Sequence, residues 1–164
     1  MLQKTHINSP FGCFELTAST LGLQSVRRLD EQPGTQQTDI PEVLAEAAQQ
    51  LQEYFAGERQ QFKIPIDWGA ATGFNKRVWQ ALLQIPYGHT TTYSAIAQQL
   101  NQPGAVRAVG MANRNNPIAI IVPCHRVIAK SGRLQGYFYG LAMKRALLEL
   151  ENPGSFSRQG NLFT

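Results

Sequence analysis

The run Pro123-Cys124-His125-Arg126-Val127-Ile128 sets a thiol beside an imidazole and a guanidinium, directly after the apolar stretch Ile118-Ala119-Ile120-Ile121-Val122. That stretch reads as a short strand, with Cys124 falling where the strand should end. The thiolate is the reactive form of cysteine, and near neutral pH it needs a base or a neighbouring cation to exist. His125 and Arg126 are both within reach. A Cys-His dipeptide alone does not decide the matter, because a cysteine behind β-branched residues is commonly an inert packed side chain. Adjacent side chains in a strand also point to opposite faces, so direct Cys-His pairing of the cysteine-hydrolase kind is awkward and a water-bridged proton route fits better.

The elements around this run divide into two modules. The first has short strands at about 6–8, 13–18 and 22–28, alternating apolar and polar and punctuated by Ser9-Pro10 and Gly12, which predicts a small antiparallel sheet. After a polar loop at 33–39, Asp39 and Pro41 open a helix in which Val43, Leu44, Ala47, Leu51, Tyr54 and Phe55 recur at helical spacing as far as Gly57. Residues 66–73 read as a linker. Phe74, Val78, Leu82 and Ile85 mark the buried face of a further helix, and two short helices at 93–100 and 105–113 flank the turn Asn101-Gln102-Pro103-Gly104. That pair has the outline of a helix-turn-helix, whose second helix usually meets DNA. A last helix at about 141–150 leads to Glu151 and to a tail opened by Asn152-Pro153-Gly154. The expected class is α/β of the α+β kind: an N-terminal sheet-and-helix module over 1–68, a mainly helical module over 69–152 and a flexible tail over 153–164.

The net charge of +4 is unevenly spread. Residues 1–73 carry five Lys or Arg against nine Asp or Glu, whereas residues 74–151 carry nine against two. Positive charge gathered on one segment is the footprint of a polyphosphate partner. Two cysteines, Cys13 and Cys124, make no disulfide framework, and with three scattered histidines they show no zinc-ligand spacing. No metal and no cofactor are expected. The first residues lack the apolar core of a signal peptide and no later stretch is apolar enough to span a bilayer, so a cytoplasmic protein without a membrane partner is expected.

Around the Cys-His run stand Ile85-Pro86-Tyr87-Gly88, Thr92-Tyr93, Arg107-Ala108-Val109-Gly110 and Asn116-Pro117, then Gly132, Leu134, Gly136-Tyr137, Gly140, Lys144, Leu147-Leu148 and Glu151. In order and spacing, residues 74–151 resemble the O6-alkylguanine-DNA alkyltransferases, also called methylated-DNA-protein-cysteine methyltransferases. The resemblance implies DNA repair by a single, irreversible transfer of an alkyl group from guanine O6 to Cys124. His125 then draws the thiol proton through a bound water while Glu151 orients the imidazole. It further implies that double-stranded DNA is the partner and that the damaged nucleotide is rotated out of the stack. Arg107 would fill the vacated space and Tyr93 would crowd the phosphate and donate to the base. Asn116 would be the hinge between recognition helix and active-site segment, and the carbonyls of Cys124 and Val127 would face the guanine amine. Tyr137 and a backbone N–H at Phe138 would serve the base. The chain departs from the family pattern at Phe138-Tyr139, where small residues are usual, so two rings are expected to narrow the alkyl pocket. Arg126 should pair with a carboxylate that the sequence does not identify.

The protein is expected to act as a monomer. Gln159, Leu162 and Phe163 resemble the peptide by which bacterial repair proteins dock on a sliding clamp. Two rival functions are a non-reacting sensor of alkylated DNA, which resembles this pattern with tryptophan at the position of Cys124, and a plain helix-turn-helix DNA-binding protein. Neither needs Cys124, His125 and Glu151 together.

Overall fold

The computed structural model describes residues 1–34 and 39–156. Two compact units form: Met1–Ala70 together with Pro117–Ile121, and Ala71–Asn116 together with the described residues from Val122 onward.

In the first unit, β1 (Gln3–Ser9), β2 (Gly12–Ala18) and β3 (Leu23–Arg28) make an antiparallel sheet in the order β1-β2-β3. Helix α1 (Glu42–Phe55) packs on it through Leu44, Ala47, Leu51 and Tyr54, a stripe spaced three and four residues apart. Proline at position 41, rather than a side-chain cap from Asp39, precedes α1, and Gly57 at φ +78° ends it. The central strand buries Glu15, because the residues opposite it in register, His6 and Arg27, both hydrogen-bond its carboxylate.

The run Ile118–Val122 corrects the sequence reading. It is buried as expected, yet it holds only isolated bridge positions at Ile118, Ala119 and Val122, with Ile118 paired to Val26, and is not a continuous strand. Ile120 takes φ +71°, and Ile121 N donates to Ala119 O two residues back, which closes a tight turn where an extended chain was predicted. A continuous apolar run records burial and leaves conformation open.

The second unit holds α2 (Gly73–Leu82), β4 (Thr91–Thr92), α3 (Tyr93–Gln99), α4 (Val106–Arg114), β5 (Val127–Ile128) and α5 (Leu141–Glu151). The predicted helix pair is present as α3 and α4, with Thr92 Oγ1 capping α3 by accepting from Ala95 N. Strands β4 and β5 pair in parallel. Trp79 of α2 donates its indole N–H to Ala112 O at 2.8 Å and so fixes the end of α4. Among the described residues no helix is long and apolar enough to cross a membrane.

Candidate active site

Cys124 does not end a strand; it opens a single 3-10 turn, Cys124–Arg126, between Pro123 and β5. All three residues of the turn are buried, and α5 packs against it. The turn sends His125 and Arg126 to the same carboxylate. His125 Nε2 lies 2.6 Å from Glu151 Oε2, while Arg126 donates from Nε to Oε1 at 2.7 Å and from Nη2 to Oε2 at 3.0 Å. Gly88 N adds a fourth donor at 3.3 Å, and Arg126 Nη1 reaches Ile85 O at 2.7 Å. The partner of Arg126 is thus Glu151 itself.

Burial alone would raise the Glu151 carboxyl, but the hydrogen bonds and charges of His125 and Arg126 outweigh it and hold the group far below the usual carboxylate range. Glu151 is a permanent anion here and can only accept. The hydrogen must therefore sit on His125 Nε2. Burial lowers the pKa of His125, with Arg126 and Lys144 acting in the same direction against the pull of Glu151, so the imidazole is neutral and its Nδ1 lone pair is available to a proton. That Nδ1 is buried and meets no donor among the described residues. The Cys124 thiol is pushed up by burial; a hydrogen bond with Asn116, the charge of Lys144 and backbone N–H groups oppose this without reversing it. A protonated thiol next to a neutral base is a site that must move a proton before it can attack.

The Asn116 amide also donates to Val122 O at 2.8 Å, and Asn113 Nδ2 donates to Cys124 O at 3.2 Å. Both expected guanine-facing carbonyls carry hydrogen bonds within the protein: Cys124 O accepts from Val127 N and Asn113, and Val127 O accepts from Lys144 Nζ at 2.5 Å. Tyr93 opens α3, and its hydroxyl donates to Gln135 O at 2.6 Å. Burial and the nearby Cys124 push that phenol up to about 12, which keeps it a donor.

Arg107 is exposed on the opposite face of α4 from the buried Val109, Ala112 and Asn113. With Tyr93, Met111, Arg114, Gln135 and Gly136 it lines a groove of about 460 Å³. Downstream, Tyr137 is buried and Phe138 is 62% exposed, while Tyr139 stands edge-on to both at 5.9 and 5.0 Å between ring centroids. Gln159, Leu162 and Phe163 lie outside the described residues. No group of His, Cys, Asp and Glu that could hold a metal occurs among the described residues.

Sequence reasoning assigned no role to Lys144, which is fully buried. Its ammonium donates to Val127 O, to Gln135 O at 2.8 Å and more weakly to Gly136 O and Tyr93 Oη at 3.5 Å, and so pins the loop after β5 onto α5 and α3. The signal was present: Met143, Lys144, Leu147, Leu148 and Glu151 form one buried stripe of α5, with two charges on it seven residues apart. Charges on an apolar stripe point to partners inside.

Comparison with known proteins bears on this geometry. Residues 73–153 match the family model described as 6-O-methylguanine DNA methyltransferase, DNA binding domain, and residues 2–68 match that of its ribonuclease-like domain. A methylated-DNA-protein-cysteine methyltransferase of Mycobacterium tuberculosis is 49% identical over 154 residues, covering 92% of this chain and 93% of that protein. One of Methanosarcina barkeri is 45% identical, covering 88% and 94%. The crystal structure of Mycobacterium tuberculosis OGT in complex with DNA is similar at 51% identity and a TM-score of 0.79, covering 89% of this chain and 90% of that one.

Burial lowers the Lys144 pKa to about 8, against a smaller opposing effect of Cys124. Opening that frees the ammonium into water restores its ordinary pKa, so the open state binds the proton better than the closed one and amide exchange over residues 135–139, corrected for its intrinsic pH dependence, is expected to slow about tenfold between pH 7 and 9. Global stability follows the same sign. The unfolded chain binds the lysine proton better from about pH 8 to the ordinary lysine value, so the contribution of Lys144 to stability rises across that window. The difference in melting temperature between native protein and Lys144→Met should therefore widen as pH climbs from 8 to 10, and thermal scans of both proteins check it.

Proposed function

The chain belongs to the methylated-DNA-protein-cysteine methyltransferases, and on that footing we propose how its residues carry out DNA repair by alkyl transfer to cysteine. The observation that carries the reading is the buried His125, next in the chain after Cys124, with its Nε2 2.6 Å from Glu151 Oε2 and its Nδ1 buried with no hydrogen-bond partner among the described residues. The proton of the thiol passes through a water to Nδ1. Sulfur then forms its bond to the alkyl carbon as the bond between that carbon and guanine O6 breaks, and the electron pair leaves with the base. The imidazolium so formed is held by Glu151, whose charge the guanidinium of Arg126 fixes in place. The hydroxyl of Tyr93, kept protonated, donates to the departing base once it exchanges Gln135 O for that partner. The product is a thioether that water does not cleave, so each molecule reacts once.

DNA enters along the groove on the outer face of α4, with Arg107 filling the stack from which the damaged nucleotide is turned out and Arg114 on the same face. The carbonyls of Cys124 and Val127 read the guanine amine, Tyr137 and the N–H of Phe138 complete the base site, and Tyr139 limits the alkyl group. Asn116 links the helix to the nucleophile through Val122 O. The first module is structural, the second binds DNA and accepts the alkyl group, and a monomer suffices. A non-reacting sensor would have no use for the thiol and its base. From the sequence alone, docking of Gln159, Leu162 and Phe163 on a sliding clamp is added to the proposal.

Incubation with an oligonucleotide carrying O6-methylguanine should add one methylene unit in mass, at Cys124, and then stop. Cys124→Ser should lose transfer by several orders of magnitude while retaining affinity for the methylated DNA, since a hydroxyl is far less acidic than a thiol; transfer that persists would sink the assignment. Arg107→Ala should slow repair in duplex DNA by about tenfold or more while sparing reaction with a free alkylated base. Equal losses on both substrates would remove the stack-filling role. A tail peptide should bind purified clamp weakly, and alanine at its three anchor positions should erase that binding without touching transfer.

A further inference from the structure

We propose that Asn113 is a positioning residue of the proton relay, its Oδ1 and the Nδ1 of His125 together holding the water through which the Cys124 proton leaves. The inference rests on the relay described above and names what fixes its water.

Asn113 lies on the buried stripe of α4 with Val109 and Ala112 and is 2% exposed, a place where an aliphatic side chain is the ordinary choice. An amide there is costly unless its groups are satisfied. Its nitrogen is satisfied, at 3.2 Å from Cys124 O. Because only the nitrogen can donate to a carbonyl, the amide orientation is settled and Oδ1 is left as an acceptor. That oxygen is buried and meets no donor among the described residues, and the same holds for His125 Nδ1. Both acceptors belong to groups attached to Cys124, one hydrogen-bonded to its carbonyl and the other on the next residue.

Buried acceptors without a protein donor are normally met by ordered water. A single water has two hydrogens to give and can accept one from a thiol, so two acceptors and one S–H match its capacity. The proton then moves from sulfur to the water oxygen as the hydrogen already directed at His125 passes to Nδ1. Asn113 exchanges no proton. It holds the other hydrogen and thereby aims the one that transfers. The charged and titratable groups facing this point are Glu151 and Lys144 from α5, Arg126 and Cys124 from the turn, and Tyr93 from α3.

Asn113→Leu keeps the volume and removes both amide groups. Between pH 6 and 8 the native rate of methyl transfer should be flat. The variant should be slower by about tenfold or more at pH 7 and climb by about one decade per pH unit, because hydroxide must then do the work of the relay. A variant profile that is merely lower, with its shape unchanged, overturns the proposal. His125→Phe separates this outcome from failure of the relay itself: a sloping profile in His125→Phe with a flat one in Asn113→Leu rejects the role of Asn113 alone, and a flat profile in His125→Phe rejects the relay. Should the leucine variant not fold, Asn113→Ala and a high-resolution crystal structure of the native protein replace it. Water within about 3.2 Å of both acceptors supports the proposal, and well-ordered density with none there overturns it.

Discussion

The site depends on one buried carboxylate. Glu151 receives His125, both arms of Arg126 and the N–H of Gly88, and those donors come from the turn after Pro123 and from the segment that follows α2. A charge so far from water is tolerable only when its oxygens are filled and a counter-charge is close. Arg126 supplies that charge and is itself held by Ile85 O. The arrangement makes the anion permanent, which in turn dictates the tautomer of His125 and leaves its Nδ1 as a buried acceptor. Truncating any one of these groups would strand another in the interior, so the geometry is held as a unit.

A second set of buried polar groups does for the loop after β5 what Glu151 does for His125. Lys144 gathers the carbonyls of Val127, Gln135 and Gly136, and Tyr93 shares Gln135 with it. Lys144 sits seven residues from Glu151 on the same face of α5, so one helix positions the anion of the relay and the cation of the loop together. The ammonium also favours the thiolate from a distance, while desolvation favours the thiol more strongly. The balance favours the thiol form of Cys124.

Much of this could be read in the chain. Helical stripes located α1 and α2, a last helix was expected at about 141–150 where α5 forms, the Pro-Gly turn separated α3 from α4, and alternation found the three strands of the small sheet. The family pattern also implied a contact between His125 and Glu151, and the structure sets the two 2.6 Å apart. Other features were not legible, for physical reasons. The run Ile118–Val122 carried the burial signal of a strand but not the positive φ of Ile120, which no periodicity encodes. The partner of Arg126 was hidden because a carboxylate shared by two donors looks, in sequence, like a residue already assigned. Asn113 sat unnoticed because asparagine near a helix end is usually a capping residue, whereas here it points inward to a carbonyl eleven positions later.

A protein that reacts once gains from a nucleophile that is hard to ionise. A thiol held protonated by burial is a poor target for the electrophiles and oxidants that a free thiolate would meet, since reactivity follows thiolate character and exposure. In the proposed relay, activation by a neutral imidazole, instead of by a preformed ion pair, defers the proton transfer until carbon is in line with sulfur. In that proposal the departing guanine takes away one negative charge as His125 gains one positive charge, so neither charge need persist buried and uncompensated beforehand. This is why the same low-dielectric interior that suppresses the resting thiolate strengthens the donors aimed at the leaving base. On the proposed mechanism, burial of Cys124, the permanent anion at Glu151 and the protonated phenol at Tyr93 are parts of a single electrostatic solution, in which reactivity appears only with the substrate in place.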